Sequence, residues 1–237
     1  SYTGYGVSCN GNTDGWIDVT VTGGTGTYTY EWSTGETTED VSDLGAGTYS
    51  VVATDENGCS VSIEVEITET EEMGISETHS SYTGYGVSCN GNTDGFIDVA
   101  VTGGTGTYTY EWSTGADTED VSDLGAGTYS VVATDENGCS VSIEVEITET
   151  EEMGISETHS SYTGYGVSCN GNTDGSIDVA VTGGTGVYLY EWSTGETTED
   201  VSDLGAGTYS VDVSDENGCS VSIEVTLTSP EGLNILE

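Results

Sequence analysis

Thr48-Tyr49-Ser50-Val51-Val52-Ala53-Thr54-Asp55-Glu56-Asn57-Gly58-Cys59-Ser60-Val61-Ser62-Ile63-Glu64-Val65-Glu66-Ile67 decides the fold. Tyr49, Val51 and Ala53 alternate with Ser50 and Val52, and Val61, Ile63, Val65 and Ile67 alternate with Ser62, Glu64 and Glu66. Period two in β-branched and aromatic residues is the mark of half-buried strands. The Asn57-Gly58 pair suggests a two-residue hairpin loop, but that loop would set Ala53 against Ser62, a core residue against a surface one. Opposed residues share a face, so a three-residue loop, Glu56-Asn57-Gly58, is expected, with Ala53 opposite Val61, Val51 opposite Ile63 and Gly58 left-handed.

Outward from the hairpin, the same alternation places Ile17, Val19 and Val21 on one strand and Tyr28, Tyr30 and Trp32 on another. Tyr28, Tyr30, Trp32 and Tyr49 are expected in the core. Glycine-rich stretches at 23–26 and 45–47 supply turns, and no stretch has helical periodicity. High net charge with modest hydrophobicity can mean disorder; four alternating strands argue instead for an all-β sandwich.

The chain repeats itself. Ser1–Ser80 returns as Ser81–Ser160 with four changes (Trp16 to Phe96, Thr20 to Ala100, Glu36 to Ala116, Thr37 to Asp117), and a more diverged third copy starts at Ser161. A period of 80 residues suits one small domain per copy. Met73 and Ile75 read as a first strand, which puts the domains at 1–70, 71–150 and 151–230, with 231–237 opening a fourth. On this reading the first domain lacks its first strand. No apolar run is long enough to span a membrane.

The chain has 43 Asp plus Glu and neither Lys nor Arg, a formal charge of −43. Ordinary domains carry roughly an eighth Lys plus Arg, so cations are excluded from this one. Such a surface repels nucleic acid and anionic lipid, which removes both as partners, along with direct membrane insertion. Self-repulsion keeps molecules soluble and opposes compaction.

Each copy has two cysteines. Repeat symmetry leaves two sensible pairings: within a domain (Cys9–Cys59, Cys89–Cys139, Cys169–Cys219) or across the junction, Cys59 to Cys89. Cys59 falls on the inward face and Cys9 shares a face with Val7, which favours the bridge within a domain. Closing that loop would stabilise by roughly 4 kcal/mol in the chain-entropy model. Paired cysteines in an acidic chain point to an oxidising, exported setting; without a Cys-x-x-Cys pair, zinc is disfavoured.

Four ordered motifs, Val7-Ser8-Cys9-Asn10-Gly11-Asn12-Thr13-Asp14-Gly15, Gly23-Gly24-Thr25-Gly26-Thr27-Tyr28-Thr29-Tyr30-Glu31-Trp32-Ser33, Leu44-Gly45-Ala46-Gly47-Thr48-Tyr49-Ser50-Val51 and Thr54-Asp55-Glu56-Asn57-Gly58-Cys59, resemble the SprB repeat. Those repeats occur in very large surface proteins of Bacteroidota, including the gliding-motility adhesin. The resemblance covers essentially all of each copy. It implies an immunoglobulin-like or PKD-like sandwich, type IX secretion to the cell surface, and a role in adhesion or in spanning distance. It implies no catalytic residues.

No cofactor is required by any motif; calcium is the candidate. Asn10, Asn12 and Asp14 stand at alternate positions before Gly15, like the start of a calcium loop, with Asp18 at the ninth position. The matching sets are Asn90, Asn92, Asp94 and Asp98, and Asn170, Asn172, Asp174 and Asp178. The pattern departs from that loop in its neutral asparagines and in Val21 at the twelfth position, and a plain Asn/Gly/Asp turn reads equally from it. Glu69, Glu71 and Glu72 crowd a junction without a counter-charge and form a second candidate, against a solvated acidic linker.

Catalysis finds no template. No Lys or Arg can stabilise an oxyanion, and His79 and His159 are equivalent surface positions. Paired carboxylates follow from acidity alone. The expected function is a non-enzymatic stalk in a large surface adhesin, partnered by neighbouring repeats. Two alternatives stay open. Trp16, which varies to Phe96 and Ser176, and Tyr2 are candidates to stack on surface polysaccharide. Other copies of the protein could assemble through calcium bridges into a filament or surface layer.

Overall fold

The structure, a computed structural model, describes residues 2–236. It contains strands and turns only. The first copy holds β1 (Gly15–Ile17), β2 (Thr29–Trp32), β3 (Val41–Leu44), β4 (Gly47–Thr54) and β5 (Ser60–Ile67). The second holds β6 (Gly74–His79), β7 (Gly95–Thr102), β8 (Thr109–Trp112), β9 (Val121–Leu124), β10 (Gly127–Thr134) and β11 (Ser140–Ile147). The third holds β12 (Gly154–His159), β13 (Gly175–Thr182), β14 (Leu189–Trp192), β15 (Val201–Leu204), β16 (Gly207–Ser214) and β17 (Ser220–Leu227).

The chain forms two compact units. One comprises Ser1–Thr78, Asp98–Asp120 and Tyr129–Val145; the other His79–Ile97, Val121–Thr128 and Glu146–Glu237. The second copy contributes to both.

In the second unit, the third copy shows the full pattern: sheet β12-β13-β15 faces sheet β14-β16-β17. Ile177, Val179, Trp192, Leu204, Val211 and Leu227 lie buried between them. All but Leu204 are residues that alternation turns inward, and their burial out of water drives the sheets together. The expected all-β sandwich class therefore holds. In the first unit, sheets β1-β3 and β2-β4-β5 enclose the equivalent core of Val7, Ile17, Trp32, Val41, Leu44, Val51 and Ile67.

The hairpin folds as expected. Ala53 opposes Val61, Val51 opposes Ile63, and Gly58 has φ +84°. Trp32 is buried, with its indole N–H donating to the Thr38 carbonyl at 2.8 Å. Tyr30 and Tyr49 are half-buried against the core, and the Tyr49 hydroxyl ties back to the Gly45 carbonyl at 3.0 Å. Tyr28 sits further out, its hydroxyl donating to the Gly23 carbonyl. The alternation does not reveal β3. Asp43 takes φ +60° there, which breaks period two and lets both Val41 and Leu44 face inward.

The structure corrects the cysteine pairing. The bridges join Cys9 to Cys139 and Cys89 to Cys219, leaving Cys59 and Cys169 free and exposed. The expected bridges Cys9–Cys59, Cys89–Cys139 and Cys169–Cys219 do not form, nor does Cys59–Cys89. The reason lies in the level of each cysteine along the sandwich. The loop bearing Cys9 docks on the far end of β5: Gly6 N–H donates to the Thr68 carbonyl at 2.9 Å, and the Asn10 amide to the Thr70 carbonyl at 2.8 Å. Cys59 immediately precedes the near end of the same strand. Eight residues of strand at about 3.3 Å each separate them by roughly 26 Å, several times a disulfide's reach of about 7 Å between Cα atoms. Each sandwich thus carries one cysteine at each end, and the two cannot meet.

Candidate functional site

The candidate site is the bridge itself, built from one copy's Cys loop and the next copy's hairpin. Asp135 shapes the hairpin. Its Oδ1 accepts from the backbone N–H of Asn137 and of Cys139, both at 2.9 Å, and its Oδ2 from the Thr105 N–H at 2.9 Å. Burial pushes this carboxyl up, but those backbone donors outweigh it and hold it below the ordinary carboxylate value. Asp215 makes the same set of bonds in the third copy, to Asn217, Cys219 and Thr185. Asp55 does so in the first copy, and there the Cys59 N–H is the main cause of its lowered value.

In the first unit the hairpin presents Cys139 to Cys9, with Cα atoms 5.7 Å apart. Cys139 Sγ lies 3.2 Å from the Ser8 carbonyl oxygen, and the Thr3 hydroxyl donates to the Asn137 side-chain oxygen. The second unit repeats this. Cys219 meets Cys89 at 5.6 Å. The Asn217 amide donates to the Ser88 carbonyl at 3.1 Å and the Tyr82 carbonyl at 3.4 Å. Cys139 and Cys219 are buried. The contact of the cysteine Sγ with the Ser8 or Ser88 carbonyl and the bond from Thr3 or Thr83 to the hairpin asparagine recur in both units, while the Asn137 amide nitrogen, unlike that of Asn217, has no partner among the described residues.

The candidate calcium residues hold the Cys loop together. Asp14 accepts the Ser8 N–H at 3.0 Å. The Ser8 hydroxyl, then its N–H, hold Asp14 below the usual range, and Ser88 and Ser168 act likewise on Asp94 and Asp174. Asn12 donates to the Ser8 hydroxyl at 2.7 Å, and Asn92 and Asn172 donate to Ser88 and Ser168, both at 2.8 Å. Asn90 donates to the Thr150 carbonyl at 2.8 Å and Asn170 to the Pro230 carbonyl at 3.5 Å. Glu69 accepts the Gly11 N–H at 2.7 Å. Asp18, Asp98 and Asp178 are exposed. Glu71 contributes its backbone carbonyl, which accepts the Gly104 N–H at 3.0 Å, and the Glu72 carbonyl lies against Gly103. Among the described residues, no three of His, Cys, Asp and Glu stand together to hold a metal.

The aromatic pair is on the surface, Trp16 58% exposed and Tyr2 37%. His159 contacts Glu157 at 3.0 Å. No helix among the described residues is long and apolar enough to cross a membrane.

Fold and bridges together define a tandem all-β sandwich protein whose successive copies are joined by disulfides. The family model of the SprB repeat matches residues 7–37, 87–117 and 167–197, one stretch in each copy. No curated protein matches the chain. Similar solved structures include the amphioxus IgVJ-C2 molecule, at 14% identity and a TM-score of 0.29 over 60% of this chain and 99% of that one. Extracellular domains 3–5 of Drosophila OTK match at 12% and 0.34, over 86% of each. PcdhgB3 EC1-4 matches at 12% and 0.35, over 93% of this chain and 72% of that one. Likenesses that weak do not bear on function.

Proposed function

We propose that this chain is a non-enzymatic structural segment of a large extracellular surface adhesin, an acidic stalk of SprB repeats with domain boundaries near residues 71, 151 and 231. The cross-copy disulfides carry this reading. A second covalent link at each junction, beside the peptide chain, restricts hinging between neighbours, which a spacer needs and an independent binding module does not. The complete lack of Lys and Arg supports a hydrated, self-repelling surface. The partners are the neighbouring repeats, and the export route is the type IX system that the SprB resemblance implies.

The test is the end-to-end distance distribution between labels at the two termini, before and after reduction. The stalk reading expects a narrow distribution that broadens when Cys9–Cys139 and Cys89–Cys219 are opened. A distribution equally broad in both states refutes it. Exposed Trp16 and Tyr2 favour one second reading, adhesion to surface polysaccharide. Glycan-array binding that is lost in Trp16→Ala would establish it.

A further inference from the structure

The outer face of one sheet differs between the second and third copies. Tyr190 and Trp192 of β14 and Val211 and Val213 of β16 turn inward to the core, so Leu189, Glu191, Asp212 and Ser214 turn outward. The second copy has Thr107, Thr109, Glu111, Val132 and Thr134 where the third has Val187, Leu189, Glu191, Asp212 and Ser214. Strands β8 and β14 are exposed in the same pattern. The second copy has a neighbouring copy before and after it in sequence, so the openness of this face does not come from the end of the chain.

The third copy's residues give up local bonds. The Thr107 hydroxyl donates to Glu136 at 3.3 Å, and the Thr109 hydroxyl to the Thr134 carbonyl at 3.2 Å. Val187 and Leu189 have no hydroxyl to donate, and they stand 73% and 66% exposed. In the second copy Glu111 lies opposite Val132. In the third, Glu191 lies opposite Asp212. Like charges directly opposed across a strand pair are destabilising, and no Lys or Arg in the chain can come between them. The Glu216 carboxylate lies against Gly186, next to Val187. Leu189, Glu191, Asp212, Ser214 and Ser220 line an open groove of about 690 Å³. Exposed apolar groups flanked by unanswered carboxylates gain nothing for the sandwich itself; both become favourable against one kind of surface.

We propose that this face of the third copy docks an extended, cationic segment of another protein. Apolar side chains of the segment cover Val187 and Leu189, and its Lys or Arg enters between Glu191 and Asp212. Outward residues of a strand recur every second position, about 6.6 Å apart, so an extended segment lying along β14 matches them with apolar and basic residues two positions apart. β14 is the edge of its sheet, which leaves room beside it. Charge selects this occupant over the others. A second copy of this chain brings carboxylates and no cation, and a neutral glycan leaves the Glu191–Asp212 pair unanswered. Apolar burial supplies affinity, and the charge match supplies specificity.

The test is NMR of the full chain in about 150 mM salt, which screens diffuse attraction to the polyanion. The probe is a synthetic peptide with valine at its second and fourth positions, lysine at its sixth and threonine elsewhere. Amide shifts are expected at Leu189, Glu191, Asp212 and Ser214, and none at Thr109, Glu111, Val132 or Thr134. A peptide of the same charge with threonine in place of both valines should bind about tenfold more weakly. Val187→Thr with Leu189→Thr and Asp212→Val rebuilds the second copy's face, so the fold is kept while binding falls about tenfold or more. Thr107→Val with Thr109→Leu and Val132→Asp should create a second site. No binding, shifts spread over both copies, equal binding of the two peptides, or a rebuilt face that still binds would each overturn the proposal. So would self-association in sedimentation that the rebuilt face abolishes, which would make the occupant a second copy of this chain, or a neutral glycan that shifts these residues when the peptide does not.

Discussion

Replacing both free thiols, Cys59→Ser with Cys169→Ser, separates the observed pairing from pairing within each copy when a single molecule is pulled from its ends. With the bridges Cys9–Cys139 and Cys89–Cys219, the taut covalent path runs from Ser1 to Cys9 and crosses to Cys139. It then doubles back along the chain to Cys89, crosses to Cys219 and ends at Glu237, about 76 residues in all. At roughly 3.5 Å per residue this is roughly 270 Å, against roughly 830 Å for the reduced chain. The double variant leaves that path intact, so its fully extended length is expected to match the wild type within error, with reduction releasing about 160 residues in either protein. Under pairing within copies, the same variant would remove two of three bridges and lengthen the oxidised chain by about 100 residues, roughly 350 Å. Force–extension measurement on tethered molecules resolves a difference of that size. A gain of that length in the double variant refutes the cross-copy scheme.

Other outcomes follow from local contacts. Gly23→Ala should cost about 1–2 kcal/mol for its left-handed backbone alone, at φ +87°. Gly103→Ala adds the Glu72 carbonyl clash and should cost clearly more in denaturant titration; equal losses would contradict the crowding. Asp14, Asp94 and Asp174 titrate lower in the fold than in the unfolded chain, so their contribution is present above about pH 4 and lost as pH falls through their folded values. The Tm gap between the wild type and the triple Asp→Asn variant should therefore narrow between about pH 6 and pH 3; a constant gap would show that these bonds do not depend on charge. With net charge −43, added salt should raise the Tm, and calcium and magnesium should act alike at equal ionic strength. A calcium-specific rise lost in Asp14→Asn would show that the Cys loop binds metal, despite its asparagines donating inward.

The hairpin from Thr48 to Ile67 was legible to the residue, because alternation fixes facing and facing selects the loop length. The core tryptophan and the sandwich class came from the same signal. β3 was not legible: four residues with Asp43 in a left-handed conformation carry no period. The disulfides were misread for a specific reason. Alternation reports the face a cysteine shares, not its height along the strand, and Cys9 and Cys59 share a side at opposite ends. That height depends on the loop at Cys9 docking at Thr68 and Thr70, a tertiary contact with no sequence period. The Asn-x-Asn-x-Asp spacing marks a loop whose side chains bond to Ser8 and Thr70. A calcium loop and a self-bonded turn draw on the same residue types, so spacing alone could not separate them.

The most direct test is disulfide mapping of the unreduced protein by mass spectrometry after digestion with pepsin, since trypsin has no site in the chain. The second bridge is the one to read, because Phe96 marks the Cys89 peptide, Ser176 marks the Cys169 peptide, and Asp212 with Ser214 marks the Cys219 peptide. The cross-copy account expects the Cys219 peptide joined to the one ending near Phe96. Finding it joined to the one ending near Ser176 would place both cysteines of a bridge in one copy and contradict the account.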